Sequence, residues 1–171
     1  MDRRDCAAPR LKSWIRSELT NALNGDIIKA NDSRTAVKCV HYIGKINLEI
    51  YKCVSEDIQT DEVIITDERI QHIKERHPQD FERFCGYMRE IVESPDYIMQ
   101  SKKPNTAFVL KRIVQEGKNF QLILRLKTSN DCSDYQNSVI TFLKVDDKKA
   151  AKYLRNKKIL YKRLNTLDND E

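Results

Sequence analysis

The sequence predicts an α+β domain: two consecutive helices packed on a four- to five-stranded antiparallel sheet, with an N-terminal helix and hairpin and a basic C-terminal helix. Three observations support this class. The chain has 171 residues, which is enough for one domain with a buried core. Its apolar residues recur with a helical period from Asp67 to Glu93. After Asp96 the period becomes that of strands separated by turn residues, as in an antiparallel meander.

The N-terminal third predicts a helix followed by a hairpin. Apolar residues at helical spacing predict an amphipathic helix over Ala8 to Asn24, which ends at a glycine. Two β-rich runs, Thr35 to Ile43 and Ile46 to Val54, are separated by Gly44-Lys45, which has the form of a two-residue hairpin turn. A short apolar run at Val63 to Ile65 then leads to the central helices.

The first central helix is predicted from about Asp67 to His77. Thr66 is a suitable N-cap, Glu68 adds negative charge to the first turn, and Pro78 cannot continue the helix.

Two of the three histidines in the chain lie on this helix. His77 falls on the apolar face with two isoleucines, whereas His72 falls on a neighbouring face between Arg69 and Arg76. A histidine on an apolar stripe is more often a core residue than a catalyst, so a structural and a catalytic interpretation of His77 both stay open.

The rest of the chain predicts a second helix, four strands and a terminal helix. The second helix runs from about Gln79 to Glu93, between two prolines. The four strands are Tyr97–Gln100, Thr106–Val114, Phe120–Lys127 and Ser138–Val145, and the turns between the first three are Lys102–Asn105 and Gln115–Asn119. The terminal helix runs from about Asp147 to Leu164. These elements predict an N-terminal helix and linker over 1–35, one folded domain over 36–165 and an acidic tail over 166–171.

Cysteine usage and hydropathy predict a soluble cytoplasmic protein. The five cysteines are widely spaced and form no Cys-x-x-Cys pair, so we interpret them as reduced and mostly buried. No apolar run approaches the length needed to cross a membrane.

Charge is distributed unevenly, although the formal net charge is only +5. From Glu56 to Glu68 there are six acids and no base. From Ser101 to Lys127 there are seven bases and one acid, and from Lys144 to Arg163 there are nine bases and two acids. A clustered basic surface is what a polyanion requires, because each cation that meets a phosphate releases counterions. The alternative is that these side chains only solvate the outer faces of the fold.

Polar side chains on the predicted strands are candidates for chemistry. Lys111, Arg125 and Thr141 each project from an otherwise apolar row. Together with a histidine, they suit cleavage of RNA through its own 2′-hydroxyl, which requires two proton transfers and stabilisation of the phosphorane charge. Such a reaction requires no metal and no other cofactor. Singly, a strand lysine or arginine is more often salt-bridged or snorkelling than catalytic.

Four motifs occur in an order that resembles a known nuclease group. They are His-Ile-x-x-Arg-His-Pro at His72 to Pro78, Ile-Val-x-x-Pro-Asp at Ile91 to Asp96, Lys111-Arg112 on a strand, and Asn-Ser-x-Ile-Thr at Asn137 to Thr141. In this order they resemble the phage-associated barnase/EndoU/colicin/RelE-like nuclease domains. The resemblance covers about Val63 to Leu164.

The resemblance implies a small α+β fold and metal-independent RNA cleavage that leaves a 2′,3′-cyclic phosphate. Carried over by position, it implies His77 or His72 as general acid or base, Lys111 and Arg125 as phosphate holders, and Ser138 and Thr141 as groups that orient the scissile phosphate. Relatives occur as phage proteins, as toxin tips and within proteins of mobile elements, which implies a cognate immunity or antitoxin partner. The chain lacks the inward glutamate that barnase-type enzymes use as base.

Two other functions fit the same sequence. A nucleic-acid-binding module would keep the basic sheet without catalysis and would tolerate replacement of His77. An immunity-type protein would instead bind a basic partner through the acidic stretch from Glu56 to Glu68.

Overall fold

The structure, a computed structural model, describes residues 39–164. The predicted N-terminal helix and the acidic tail lie outside these residues. The strands are β1 (Val40–Lys45), β2 (Glu62–Thr66), β3 (Tyr97–Gln100), β4 (Thr106–Ile113), β5 (Lys118–Arg125), β6 (Asn137–Val145) and β7 (Ile159–Lys162). The α-helices are α1 (Leu48–Tyr51), α2 (Asp67–Arg76), α3 (Pro78–Phe84), α4 (Met88–Glu93) and α5 (Asp147–Asn156), with 3₁₀ turns at Cys85–Tyr87 and Val114–Glu116.

The strands form one open sheet in the order β1-β2-β6-β5-β4-β3-β7. Every neighbouring pair is antiparallel except β2 and β6, which are parallel. The predicted α+β class is therefore confirmed, as is the antiparallel meander from β3 to β6. The predicted sheet of four to five strands is too small, because the described sheet has seven.

The predicted hairpin around Gly44-Lys45 is wrong. β1 pairs with β2, and the second run of the supposed hairpin contains α1 instead of a strand. Asn47 caps α1 by accepting a hydrogen bond from the backbone amide of Glu49 at 3.0 Å. Gly44 lies within β1, where a Cβ atom would come 2.8 Å from the Glu93 carboxylate, so this glycine allows the Glu93 side chain to pack closely and does not form a turn.

The predicted terminal helix is too long. α5 ends at Asn156, and the chain then forms β7, which pairs with the edge of β3. Tyr161 lies opposite Ile98 in this pairing and packs against the main core. The sequence predicted that Tyr161 would contact the core, but as part of a helix. Ile159 and Tyr161 are residue types that suit a strand, and the edge of β3 supplies the pairing partner.

The helix from Asp67 is confirmed, and its cap is Thr66, whose hydroxyl accepts from the Arg69 amide at 3.3 Å. The second predicted helix is divided into α3 and α4 by the turn at Cys85–Tyr87, which contains a glycine.

Buried residues divide the sheet into two faces. One face contributes Val109, Leu122 and Phe142 to a large cluster that also contains residues of α2, α3 and α4; we call it the helix face. The opposite face contributes Phe108 and Leu110 to a smaller cluster with α5; we call it the outer face. Because successive residues of a strand point to opposite faces, the register assigns each polar strand residue to one of them.

The cysteines are less buried than expected. Cys39, Cys53 and Cys132 are exposed, whereas Cys85 is half-buried. In the described part of the chain, no helix has both the length and the apolar character to span a membrane.

Asn137 fixes the one parallel pairing of the sheet. Its side chain is fully buried. The amide nitrogen donates to the carbonyls of Thr60 and Glu62 at 2.7 and 2.9 Å, and the amide oxygen accepts from the Lys127 backbone at 2.8 Å. One side chain therefore ties the start of β6 to the start of β2 and to the end of β5.

We predict that Asn137→Ala lowers the free energy of unfolding by about 2 kcal/mol, because three backbone groups lose their partner and water replaces only part of the loss. Urea denaturation followed by circular dichroism measures the change. Asn130→Ala, at an exposed asparagine in the same β5–β6 connection, is the control and should cost less than about 0.5 kcal/mol. Equal effects of the two substitutions would contradict this role for Asn137.

Candidate nucleic-acid site along strand β6

In the described sheet, the C-terminal part of β6, after Ser138, has no neighbouring strand on one side. β2 pairs with β6 only at Val63–Asn137 and Ile64–Ser138. Among the described residues, α2 and α3 contact β6. Ile73, Phe81 and Phe84 of these helices join the core cluster on the helix face, so α2 lies next to β6 on that side of the sheet.

Ser138 and Arg125 lie opposite each other near the N-terminal end of β6. They are register partners on β6 and β5, and both point to the outer face. The Ser138 hydroxyl donates to the Gln136 carbonyl at 3.0 Å and lies 3.2 Å from the Tyr135 hydroxyl. The Arg125 guanidinium lies over the Tyr135 ring, 5.7 Å from its centroid. The structure thus joins two of the predicted site residues and adds a tyrosine.

The Arg125 guanidinium is held firmly by its neighbours. It donates to both carboxylate oxygens of Asp131, at 3.0 and 3.3 Å, and to the carbonyls of Asn105 and Leu126. The backbone amide and hydroxyl of Thr128, followed by Arg125, hold the pKa of Asp131 below its ordinary value. Arg125 therefore presents a fixed cation, partly neutralised, beside Ser138.

Thr141 lies three residues further along β6, about 10 Å from Ser138. It pairs with Ile123 on the outer face, next to an irregularity in the β5–β6 register. Its side chain is half-buried. Thr141 and Ser138 thus share one strand and one face, but they do not touch the same group.

His72 and His77 lie on and directly after α2, a helix that contacts β6. His72 is on α2, and His77 ends α2 and precedes Pro78. Both side chains are half-buried. Within residues 39–164, neither imidazole forms a hydrogen bond or an ion pair. Neither histidine is enclosed in the core, so each imidazole is open to a ligand.

Lys111 lies away from the other candidates. It is 4% exposed and points to the helix face of β4, opposite to the face of Arg125 and Ser138. Its ammonium group donates to the Ser94 carbonyl at 2.7 Å and lies 3.5 Å from Asp96 and 3.6 Å from Glu90. These contacts hold the Lys111 ammonium group at the C-terminal end of α4, where the helix dipole favours a cation.

Three of the six acids from Glu56 to Glu68 are engaged within the described part of the fold. Asp57 accepts from the Ser129 hydroxyl at 2.6 Å, and Asp61 pairs with Lys45 at 3.0 Å. Asp67 lies 2.5 Å from the His41 imidazole, a hydrogen bond that lowers the pKa of the Asp67 carboxyl. Within residues 39–164 no three histidine, cysteine or carboxylate side chains converge as metal ligands would.

Sequence reasoning missed two residues of this site. Tyr135 and Gln136 belong to the connection between β5 and β6, where no periodicity marks a functional position. The side-chain oxygen of Gln136 is buried without a hydrogen-bond partner among the described residues. A buried acceptor without a donor costs free energy. Their signal in the sequence is their position directly before the Asn-Ser-x-Ile-Thr motif.

The fold is that of a small α+β domain built on one open sheet. In a comparison with protein families, residues 38–162 match the family described as phage-Barnase-EndoU-ColicinE5/D-RelE like nuclease2. The chain belongs to this family of nucleases, as the order of its four motifs predicted. Searches of curated proteins and of solved structures found no significant match.

We predict that Lys111→Met lowers the free energy of unfolding by about 2 kcal/mol, because a buried charged hydrogen bond at the end of α4 is lost. Lys118→Met, at a half-exposed lysine, is the control and should have little effect in the same urea denaturation. A Lys111→Met protein with parental stability but strongly reduced nuclease activity would instead favour the phosphate-holding role that the resemblance implies.

Proposed function

We propose that this protein is a metal-independent endoribonuclease whose cleavage centre lies along β6, between Ser138 and Thr141 and beside the histidines of α2. The nuclease part of this proposal rests on membership of the family. The observation that supports the location is that β6 presents two hydroxyl side chains on its outer face and also contacts α2, the helix of His72.

The proposed reaction is a transesterification within the RNA strand. The 2′-oxygen attacks the adjacent phosphorus, the bond from phosphorus to the 5′-oxygen breaks, and the products are a 2′,3′-cyclic phosphate and a 5′-hydroxyl. The proton of the 2′-hydroxyl passes to a base, and the leaving oxygen receives a proton from an acid. We assign the proton transfers to His77, with His72 as the alternative, because both imidazoles are half-buried and have no partner among the described residues.

The groups around Ser138 would hold and orient the phosphate. The hydroxyls of Ser138 and Thr141 are donors for the phosphate oxygens, and Arg125 supplies a cation whose position is fixed by Asp131. Fixed donors aimed at developing negative charge are effective because they need no reorganisation during the reaction. Lys111 is not part of this centre, because its ammonium group is buried on β4 and already held by the Ser94 carbonyl, Asp96 and Glu90.

A nuclease of this kind acting inside a cell is consistent with the toxin and phage-effector roles that the resemblance implies. It requires an inhibitory partner, a cognate immunity or antitoxin protein. The engaged acids of the Glu56–Glu68 stretch give less support to an immunity-type role for the chain itself.

We predict that the full chain cleaves RNA in the presence of EDTA and leaves 2′,3′-cyclic phosphate ends, and that it does not cleave the same sequence carrying 2′-O-methyl groups. His77→Gln should reduce the rate by about two orders of magnitude or more, since general acid–base catalysis contributes that much. Gel electrophoresis with mass spectrometry of the products measures both outcomes.

His41→Gln is the matched control. His41 lies on β1, pairs with Asp67 of α2 and is outside the proposed centre. His72→Gln separates the two histidine assignments. Each variant is first checked for folding by circular dichroism. Cleavage that stops in EDTA, or that proceeds on the 2′-O-methyl substrate, would overturn the proposed mechanism. RNA binding without cleavage by the parent protein would favour a non-catalytic module.

A further inference from the structure

Four lysines gather where the β3–β4 hairpin meets the start of β7. The hairpin carries Lys102 and Lys103, and the chain between α5 and β7 carries Lys157 and Lys158. The two segments are joined by a backbone hydrogen bond of 2.9 Å from the Gln100 amide to the Lys158 carbonyl. We call this group of four lysines the basic corner.

The basic corner carries uncompensated charge. Within residues 39–164, none of the four lysines is in an ion pair. In contrast, Lys45 and Lys144 on other parts of the sheet each pair with an aspartate at about 3 Å. Lysines that only solvated the surface would be expected to alternate with acids, yet no acid occurs between Lys148 and Arg163. The charge at this corner is therefore available to an external anion.

The basic corner is continuous with the proposed cleavage centre. The Lys157 ammonium lies over the Phe108 ring, 4.5 Å from its centroid, and so lies on the outer face of the sheet. Thr106, two residues or about 7 Å along β4 from Phe108, is the register partner of Arg125. The Arg125 guanidinium also donates to the carbonyl of Asn105 in the hairpin. Positive charge thus extends along one end of the sheet, from Lys157 to Arg125.

We propose that the basic corner is a backbone-binding site for single-stranded RNA, which holds the part of the substrate that flanks the scissile phosphate. This inference rests on the proposed ribonuclease function. A group of unpaired lysines at the end of the sheet that also holds Arg125 suits the phosphates of an extended strand. The site contributes affinity and not sequence selectivity, since lysines that meet phosphates carry no base information.

The test measures binding of the full chain to a fluorescent 2′-O-methyl oligonucleotide of 12 nucleotides, which resists attack by a 2′-hydroxyl. Fluorescence anisotropy gives Kd over a series of salt concentrations. Two double variants remove charge from the basic corner: Lys102→Gln with Lys103→Gln, and Lys157→Gln with Lys158→Gln. The matched control is Lys45→Gln with Lys52→Gln, which removes the same charge near the opposite edge of the sheet.

Each corner variant should raise Kd roughly tenfold at moderate salt, and the slope of log Kd against log salt should fall by about 1.4, or about 0.7 for each lost phosphate contact. The control should leave the slope unchanged. Equal losses in the corner and control variants, or no loss in either corner variant, would overturn the proposal. An RNA-independent complex with an acidic protein through these lysines, without RNA binding, would overturn it as well.

Failure of this proposal is distinguishable from failure of the proposed catalysis. If the parent protein cleaves no RNA but the corner variants bind the uncleavable strand more weakly than the parent does, the binding site is supported and the ribonuclease mechanism is refuted. Corner variants that bind like a parent that does cleave RNA would refute the binding site alone. With a dinucleotide substrate, which is too short to reach the corner, the variants should cleave at the parental rate.

Discussion

The buried side chain of Asn137 is the interaction on which the proposed centre depends most. Three hydrogen bonds from this amide hold the start of β6 against β2 and β5. The parallel pairing of β2 and β6 has only two register pairs, so little else fixes the distance between these strands. Because β2 then turns directly into α2, the same constraint sets where α2 lies relative to β6. The hydroxyls of the strand and the histidines of the helix are both positioned through it.

The polar side chains of this domain fall into two groups: some make internal contacts that hold the fold, and others are free to bind a ligand. Lys111, Asp131 and Asp57 are saturated by internal partners and hold a helix end or a connection. The side chains of His72, His77 and the lysines of the basic corner form no hydrogen bond or ion pair within the described residues. The unengaged groups lie along β6, α2 and one end of the sheet, which is the distribution expected for a centre that binds an extended anionic substrate.

Local signals were sufficient for much of the fold and for the family. Thr66 and Pro78 delimit α2 through chemistry that depends only on near neighbours, and alternation predicts β3 to β6 for the same reason. The errors arose where distant contacts decide. Tyr51 is fully buried on α1 and donates to the Val92 carbonyl at 2.9 Å, a contact 41 residues away that no local pattern reveals. Ile159 to Tyr161 form a strand only because the edge of β3 is there to receive them. Likewise, strand position marked Lys111 and Arg125 equally as candidates, but only the register shows that they point to opposite faces.

The central claim, that the substrate phosphate lies along β6 beside α2, is tested most directly by NMR. A ¹⁵N-labelled sample of the full chain is titrated with a 2′-O-methyl RNA strand, and backbone and imidazole shifts are followed. The account predicts the largest changes at Ser138, Thr141 and His77. The largest changes around Lys111 and α4, with β6 unaffected, would contradict it.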